Sequence, residues 1–276
     1  MNMTLSAPLL HPSHPLQTSP SILSFQGISK RFVTGRGDTT ALEGLSFDVE
    51  KGAFVCIVGP SGGGKSTLLN LAAGLDRPDD GQVLFDGQPV RKPSAERVLV
   101  FQEPALLPWL NVRQNVEFGL KLKGVGRQDT RESVDSCLDL VNLRRFERAY
   151  AHELSGGMKQ RVQLARALAV APRMLLMDEP FAALDAQTRD GLQTELQEIW
   201  AKTGATVLFV THNVREAVVL GDRVLIMTPS PGRVKSEVRV TLPRPRSIES
   251  HAVVDLSAQV RAELQHVVAP DRNGRG

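Results

Sequence analysis

Short apolar runs alternate along the chain with longer segments in which apolar residues recur at the period of a helix. The apolar runs are Ala53–Val58, Arg97–Phe101, Met174–Met177, Thr206–Val210 and Arg223–Met227. Strands that are buried on both faces have this near-continuous apolar pattern, which is typical of parallel sheets. The helical segments are Lys65–Gly74, Thr130–Val141, Gly157–Val170, Ala186–Lys202 and Val214–Leu220. The alternation predicts an α/β core with helices on both sides of a mostly parallel sheet.

The regions outside this alternation are predicted to be a leader, a helical insertion and a C-terminal tail. Residues 1–23 are expected to be a flexible leader, because no Asp, Glu, Lys or Arg precedes Lys30 and prolines recur there. Residues from about 103 to 168 are helical in pattern and poor in strands, so they are expected to form an insertion carried by the core. After a proline-rich connector at Thr241–Arg246, an amphipathic helix is predicted at His251–Val268, and Ala269–Gly276 is expected to fray.

Composition narrows the class of protein. The basic residues number 33 and the acidic residues 30, an excess too small to indicate nucleic acid, and no nucleic acid is expected as a partner. Cys56 and Cys137 are the two cysteines, too few for a disulfide scaffold or a four-cysteine zinc site, and they fit a reducing compartment. No apolar stretch approaches the roughly 18 residues of a membrane span, and no basic cluster opens a signal peptide. The chain is therefore expected to be soluble and cytoplasmic.

A glycine-rich sequence between a buried strand and an apolar helix carries the first sign of chemistry. It matches G-x-x-x-x-G-K-[ST] at every fixed position. The glycines let backbone N–H groups turn toward phosphates, and the positive end of the following helix points at the same place. A glycine-rich turn with an incidental lysine is the alternative, which the flanking strand and helix disfavour. The predicted nucleotide contacts are Gly59, Pro60, Ser61, Gly62, Gly63, Gly64, Lys65, Ser66 and Thr67.

Two acids end a later apolar strand, at Asp178 and Glu179. Unpaired carboxylates after four apolar residues are costly, and chelation of magnesium by Asp178 would relieve that cost. Ser66 is the predicted second magnesium ligand. Glu179 is then free to take a proton from an attacking water. An exposed acid pair in a loop is the alternative interpretation, and the upstream phosphate loop disfavours it.

The run Leu154–Arg161, L-S-G-G-M-K-Q-R, narrows the class further. Alone it is equally compatible with an ordinary helix cap, because Ser is a common N-cap residue. Four other elements accompany it in a fixed order: Phe32, Gln102, Ala183–Asp185 and His212. Together with the phosphate loop and the acidic strand end, they resemble the motif set of ATP-binding cassette (ABC) ATPases. The resemblance covers about residues 24–239.

The resemblance implies a fold and a role for each motif residue. The fold is a P-loop (RecA-like) α/β core with a mostly parallel sheet, an N-terminal antiparallel β subdomain and a helical insertion subdomain. The ATPase domain would span 24–239, with the helical subdomain at about 103–168, and 240–276 would be a C-terminal connector and helix. Lys65, Gln102, Glu179 and His212 would be catalytic, with Glu179 as general base. Ser66, Gln102 and Asp178 would hold Mg²⁺, and Phe32 would stack on adenine.

The resemblance also implies partners. In ABC ATPases two copies dimerise head to tail, so Ser155, Gly156 and Gly157 would close over ATP held by the second copy, and Asp185 would act across the interface. Phrases such as Pro229–Val234 are similar to the ATPases of bacterial nitrate, sulfonate and taurine importers. Such subunits serve integral membrane permease subunits and, indirectly, a periplasmic solute-binding protein. The expected location is the cytoplasmic face of the inner membrane, as a peripheral protein.

Two alternatives remain at this point. One is a soluble ABC ATPase without a transporter, such as the iron–sulfur cluster assembly type, which the importer-like phrases disfavour. The other is a GTPase or a small-molecule kinase, and neither class accounts for the Leu154–Arg161 run. No Asn-Lys-x-Asp tetrapeptide for reading guanine occurs in the sequence.

Overall fold

The computed structural model describes residues 20–34 and 37–268. In chain order, the strands in this part of the chain are β1 (Ser21–Thr34), β2 (Gly37–Glu50), β3 (Phe54–Val58), β4 (Asp80–Phe85), β5 (Gln88–Pro89), β6 (Arg97–Val100), β7 (Met174–Asp178), β8 (Thr206–Thr211), β9 (Arg223–Met227) and β10 (Val234–Arg239). The helices are α1 (Lys65–Ala73), α2 (Val112–Leu122), α3 (Arg127–Leu140), α4 (Gly156–Ala169), α5 (Ala186–Thr203), α6 (Val214–Leu220) and α7 (His251–Val268). Each predicted strand and helix is confirmed to within a few residues.

The strands form two sheets. An antiparallel sheet has the order β2-β1-β4-β5, and a six-stranded sheet has the order β10-β9-β3-β8-β7-β6. In the second sheet β10 is antiparallel to β9, while the remaining neighbours pair in parallel. The predicted α/β class, with a mostly parallel sheet, an antiparallel β subdomain and a helical insertion carrying α2, α3 and α4, is confirmed.

The central strand β3 shows why its sequence is apolar throughout. All five of its residues are fully buried. Phe54, Cys56 and Val58 face a core shared with α4, α5 and α6, while Val55 and Ile57 face a second core shared with α1 and the antiparallel sheet. Successive side chains of a strand point to opposite faces, so a strand covered on both sides needs apolar residues at every position.

The antiparallel sheet begins earlier than the sequence suggested. Strand β1 starts at Ser21, inside the predicted leader 1–23, and Leu23 is fully buried. Leu23 pairs with Val49 of β2 and with Phe85 of β4, and this pairing recruits the end of the uncharged segment into the fold. The other leader residues, 1–19, and the predicted frayed end, 269–276, lie outside the described residues.

The C-terminal segment packs on the core. Helix α7 buries Val253 and Val260 in the same cluster as α6. In the connector before it, the Arg246 side chain is only 3% exposed. Among the described helices, none combines the length and apolar character needed to cross a membrane.

Candidate active site

The phosphate loop joins β3 to α1 in a conformation that requires glycine. Gly62 and Gly64 have φ values of +77° and +79°, in the left-handed region. A Cβ atom on Gly64 would lie 2.6 Å from the carbonyl oxygen of Ala41, and one on Gly63 would lie 2.8 Å from that of Thr228. The loop is therefore pressed between the antiparallel sheet and the end of β9, where side chains do not fit.

The lysine of this loop is buried at the first turn of α1. Lys65 is 6% exposed, and its ammonium group donates hydrogen bonds to the carbonyl oxygens of Gly59, at 3.0 Å, and Pro60, at 2.8 Å. Burial lowers the pKa of Lys65, against the opposing effect of the nearby carboxylates Glu179 and Asp178. The loop thus holds a cation where neutral carbonyls are its hydrogen-bond partners, an arrangement suited to an anionic ligand. Ser66 is exposed beside it and Thr67 is half-buried.

Strand β7 brings the two acids to the same edge of the sheet. The Ser66 hydroxyl hydrogen-bonds to the Asp178 carboxylate, and burial raises the pKa of Asp178. A carboxylate next to a hydroxyl is a hard oxygen set of the kind that Mg²⁺ prefers, so Ser66 and Asp178 fit this ion. Glu179 has a φ of +43° and its backbone N–H donates to the carbonyl of Val210, at 2.9 Å.

Glu179 and His212 meet at the ends of neighbouring strands. The distance from Glu179 Oε2 to His212 Nδ1 is 2.7 Å. The His212 side chain is 61% exposed, whereas that of Glu179 is 20% exposed. A carboxylate that is accessible on one side and held by an imidazole on the other can accept a proton from a substrate water. The structure therefore brings Lys65, Ser66, Asp178, Glu179 and His212 together, as the sequence predicts.

The Leu154–Arg161 run, called the signature run below, lies apart from these five residues and forms a second group with Asp185. Ser155 caps α4 by accepting a hydrogen bond from the N–H of Met158, and Asp185 caps α5 by accepting one from the N–H of Thr188. Hydrogen bonds from the backbone N–H and from the side chain of Thr188 lower the pKa of Asp185. Ser155 and Gly156 are exposed, and Gly157 is so close to α5 that a Cβ would lie 2.6 Å from Thr188 Cγ2. Two exposed helix N-termini thus lie side by side. Within the described residues, no hydrogen bond joins them to the phosphate loop.

Two further residues predicted from the sequence, Gln102 and Phe32, are not among the five residues that meet at the phosphate loop. Gln102 follows β6 in an exposed loop, and its carbonyl oxygen accepts a hydrogen bond from Gln160 Nε2, at 3.1 Å. Phe32 lies on β1, 39% exposed, with the ammonium group of Lys30 5.4 Å from its ring centroid. An exposed aromatic ring on a strand is available to stack on a base.

Buried polar residues of α4 support the site and were not predicted. Gln160 and Gln163 are 5% and 2% exposed. Gln160 also donates to the carbonyl of Pro180, next to Glu179, while Gln163 donates to the carbonyl of Phe101. Since Gln160 lies within the Leu154–Arg161 run and Gln163 follows it on the same helix, α4 connects that run to the loop carrying Gln102. The sequence signal was polar residues recurring on the buried face of a helix.

Comparison with known proteins gives the family. The profile of the ABC transporter family matches residues 42–182. The nitrate import ATP-binding protein of Synechocystis sp. is 48% identical over 221 residues, which are 80% of this chain and 83% of that protein. The taurine import ATP-binding protein of Roseobacter denitrificans is 45% identical over 219 residues, 79% of this chain and 82% of that protein.

A solved structure gives the same result for the fold. It is a dimeric ATP-binding cassette in a post-hydrolysis state, bound to ADP and Pi. It is 32% identical, covers 80% of this chain and 100% of its own, and superposes with a TM-score of 0.70. The chain therefore belongs to the ABC transporter family and is one of its ATPase subunits.

Proposed function

We propose that this chain is the ATP-hydrolysing subunit of a bacterial ABC importer for a small solute such as nitrate, a sulfonate or taurine. The observation that carries the proposal is the Lys65, Ser66, Asp178, Glu179 and His212 group, assembled on one edge of the parallel sheet. The import functions named for relatives of 48% and 45% identity support the direction and the solute class.

In this proposal the phosphate loop binds the triphosphate of ATP. Lys65 exchanges its carbonyl partners for the β- and γ-phosphate oxygens, with the backbone N–H groups of residues 61–67 around them. Ser66, Asp178 and Gln102 hold Mg²⁺, which when bound neutralises charge on the β- and γ-phosphates. Phe32 stacks on the adenine ring.

Hydrolysis then depends on Glu179 and His212. Glu179 accepts the proton of the attacking water, and His212, held to Glu179 at 2.7 Å, orients the water and the γ-phosphate. Fixing the reactants in this way lowers the entropic part of the barrier. Because the base and the imidazole are anchored on adjacent strands, β7 and β8, their mutual position is set by the sheet.

The complete site requires a second copy of the chain. The exposed N-terminus of α4, with Ser155, Gly156 and Gly157, is an anion-binding end of a helix that its own phosphate loop does not use. In a head-to-tail dimer it closes on the γ-phosphate bound by the other protomer, and Asp185 lies at the interface. The dimeric cassette with a TM-score of 0.70 supports this arrangement. ATP closes the dimer because it binds the closed state preferentially, and hydrolysis reopens it.

A groove beside the Gln102 loop is the proposed docking site for an amphipathic helix of a permease subunit. It has a volume of about 330 Å³ and is lined mainly by apolar residues of β6, α2 and α4. Phe118 and Leu122 are 40% and 75% exposed at its edge. Its wall includes Arg166, which donates to the carbonyl of Ala105 in the Gln102 loop, at 2.7 Å. Movement of the permease is thus transmitted, through Arg166 and Ala105, to the loop that carries Gln102. Trp109, 70% exposed, extends the apolar surface nearby.

If the groove docks a permease, the protein is a peripheral subunit on the cytoplasmic face of the inner membrane, and its solute is delivered by a periplasmic solute-binding protein. Co-purification tests it: the wild-type chain should bring down a polytopic membrane protein, and Leu122→Lys should not. Leu75→Lys is the matched control, since Leu75 is also exposed, at 55%, but lies outside the groove. ATPase activity that no membrane partner ever changes would favour the soluble ABC ATPase instead.

The dimer is tested separately with Glu179→Gln. This variant should bind ATP without turning it over and should elute as a dimer on a sizing column when ATP and Mg²⁺ are present. A monomer under those conditions contradicts the proposed assembly.

A further inference from the structure

One face of α5 carries a row of polar residues at the helical spacing of four. The row runs from Asp185, the cap residue at the dimer-facing end, through Arg189 and Gln193 to Gln197. Residues spaced by four lie above one another on a helix. Asp185 is exposed and Arg189 is half-buried, whereas Gln193 and Gln197 are only 1% and 3% exposed, so the row passes from the surface into the interior of the protein. Buried polar side chains are normally hydrogen-bonded. The hydrogen-bond partners of Arg189 and Gln193 therefore show which parts of the protein this face of α5 fixes in place.

Arg189 holds the loop that precedes α5. Its Nε donates to the carbonyl oxygen of Phe181, at 3.2 Å, and its Nη2 donates to that of Leu184, at 2.6 Å. Both carbonyl groups lie within the turn that joins Glu179 to Asp185. The guanidinium therefore fixes the backbone that separates the proposed general base from the dimer interface.

Gln193 holds a buried carboxyl group that catalysis does not use. Gln193 Nε2 donates to Glu216 Oε1, at 3.0 Å. Glu216 lies on α6, is 4% exposed and also accepts a hydrogen bond from the Thr211 side chain. Within the described residues Glu216 has no ion-pair partner closer than 4.0 Å. Burying a carboxylate without such a partner is costly, and burial accordingly raises the pKa of Glu216.

Through its hydrogen bond to Thr211, Glu216 is connected to the segment Thr211–Asn213, which carries His212. The Thr211 hydroxyl accepts a hydrogen bond from the N–H of Asn213, at 2.9 Å, and the Asn213 side chain caps α6 by accepting from the N–H of Glu216, at 3.4 Å. Residue His212 lies between these two anchors. The Thr211 side chain therefore connects the Glu216 carboxyl group to the backbone that follows His212, while the Asn213 side chain ends on the backbone of Glu216.

The two halves of this network face each other across a small cavity. Its volume is about 10 Å³, close to that of one water-sized probe, and Glu179, Arg189, His212 and Glu216 are among its lining residues. Arg189 is near enough to Glu216 to exert an electrostatic attraction on it. Arg189 and Glu216 thus line the same cavity as the proposed base, Glu179, and His212.

We propose that Glu216 and Arg189 are positioning residues for ATP hydrolysis. Glu216 fixes the Thr211–Asn213 backbone that carries His212, and Arg189 fixes the turn that leads to Asp185. Because the two side chains attract each other across the cavity, contact of the Asp185 turn with the second copy and placement of His212 on the γ-phosphate occur together. This inference rests on the head-to-tail dimer of the proposed function.

The test compares single and double variants of the full-length chain in single-turnover hydrolysis. Glu216→Gln keeps the size of the side chain and an acceptor for Gln193, and removes the charge that attracts Arg189. It should lower the hydrolysis rate at saturating ATP about tenfold and leave half-saturation by ATP within about twofold. Arg189→Gln should act similarly. Since the residues act on each other, the double variant should lose about as much as one single variant, not the product of both.

Gln197→Leu is the structural control, from the same row but at the far end from the site. Gln197 hydrogen-bonds to the backbone of Arg246, at 3.0 and 2.9 Å. Its replacement should lower the melting temperature and leave the hydrolysis rate unchanged. Glu216→Gln should instead lower the rate by far more than its effect on the melting temperature explains.

Three results would overturn the inference. They are a wild-type rate in Glu216→Gln, a change in half-saturation with no change in the rate, and losses that multiply in the double variant. If Glu216→Gln does not fold, the decision rests on Arg189→Gln, because Arg189 is only half-buried and its loss leaves the α6 contacts intact. Absence of an ATP-dependent dimer in Glu179→Gln would count against the proposed function; any of these results in a chain that dimerises counts only against the positioning role.

Discussion

Replacing Arg246 by Met gives a prediction whose magnitude follows from the structure. The guanidinium donates to carbonyl oxygens at the end of α6, those of Val218, at 3.0 Å, and Gly221, at 2.5 Å. It also donates to Val240, at 3.2 Å, and Leu242, at 3.0 Å. The last carbonyls of a helix have no partner within the helix, so Arg246 supplies the donors that α6 lacks.

Methionine fills similar space but donates no hydrogen bond. Four carbonyl groups, three of them buried and that of Leu242 half-buried, lose this donor at a cost of about 1.5–2 kcal/mol each, or about 6–8 kcal/mol together. Against this, burial lowers the pKa of Arg246 to about 10, which corresponds to about 3 kcal/mol that the charged group costs the fold and that methionine does not. The net loss in the free energy of unfolding is therefore about 3–5 kcal/mol, a large share of the total stability of a domain.

Thermal unfolding followed by circular dichroism at neutral pH measures this loss. A protein of this size loses about 2–4 °C in melting temperature per kcal/mol, so Arg246→Met should melt about 10 °C below the wild type. Arg261→Met is the matched control, since Arg261 is exposed on α7 and its replacement should leave the melting temperature unchanged. A melting temperature for Arg246→Met equal to that of the control would refute the reasoning.

Three further predictions concern the active site. Glu179→Gln should release phosphate about 100- to 10,000-fold more slowly, because glutamine keeps a hydrogen bond to His212 but cannot take a proton; a wild-type rate of steady-state phosphate release would remove Glu179 from the role of base. Burial raises the pKa of Asp178, so its ionised form destabilises the nucleotide-free fold increasingly as pH rises above the unfolded-state pKa. Asp178→Asn should accordingly melt at a higher temperature than the wild type at pH 7, and the difference should shrink as the pH falls toward about 4. The variant should also lose the stabilisation that Mg²⁺ and ATP give the wild type. A melting temperature below that of the wild type at every pH would contradict this. Phe32→Ala should weaken ATP binding about tenfold in calorimetry while binding of inorganic tripolyphosphate stays the same, and equal losses for both ligands would mean that Phe32 does not stack on adenine.

Local patterns were enough to predict five of the ten described strands, namely β3, β6, β7, β8 and β9, and the residues that meet at the phosphate loop. The five apolar runs are recognisable because each strand is buried on both faces, as β3 illustrates. The phosphate loop is readable because Gly62 and Gly64 occupy left-handed positions that other residues adopt poorly. Carboxyl ends of parallel strands share an edge, and this brings Asp178 and His212 to the loop.

Contacts between elements account for what the sequence did not reveal. Gln193, Gln197 and Glu216 are polar residues that an isolated helix would direct to solvent. They are buried because Gln193 of α5 and Glu216 of α6 hydrogen-bond to each other, while Gln197 hydrogen-bonds to the backbone of Arg246. Prolines and arginines at Thr241–Arg246 suggest an exposed connector, yet Arg246 is drawn inward by the carbonyls of α6. Helix α2 was not singled out, although its capping box of Asn111 and Gln114 was a usable signal.

The central claim is that ATP held by one protomer is covered by the signature run of the other. A photoreactive group on the γ-phosphate of ATP tests it in a mixed dimer of Glu179→Gln chains, one of which also carries Lys65→Ala and a distinguishing tag. Only the chain with Lys65 retains the phosphate-loop lysine needed to hold the nucleotide. The account predicts that illumination labels the tagged chain, within Leu154–Arg161. Label found solely on the chain that retains Lys65 would contradict it.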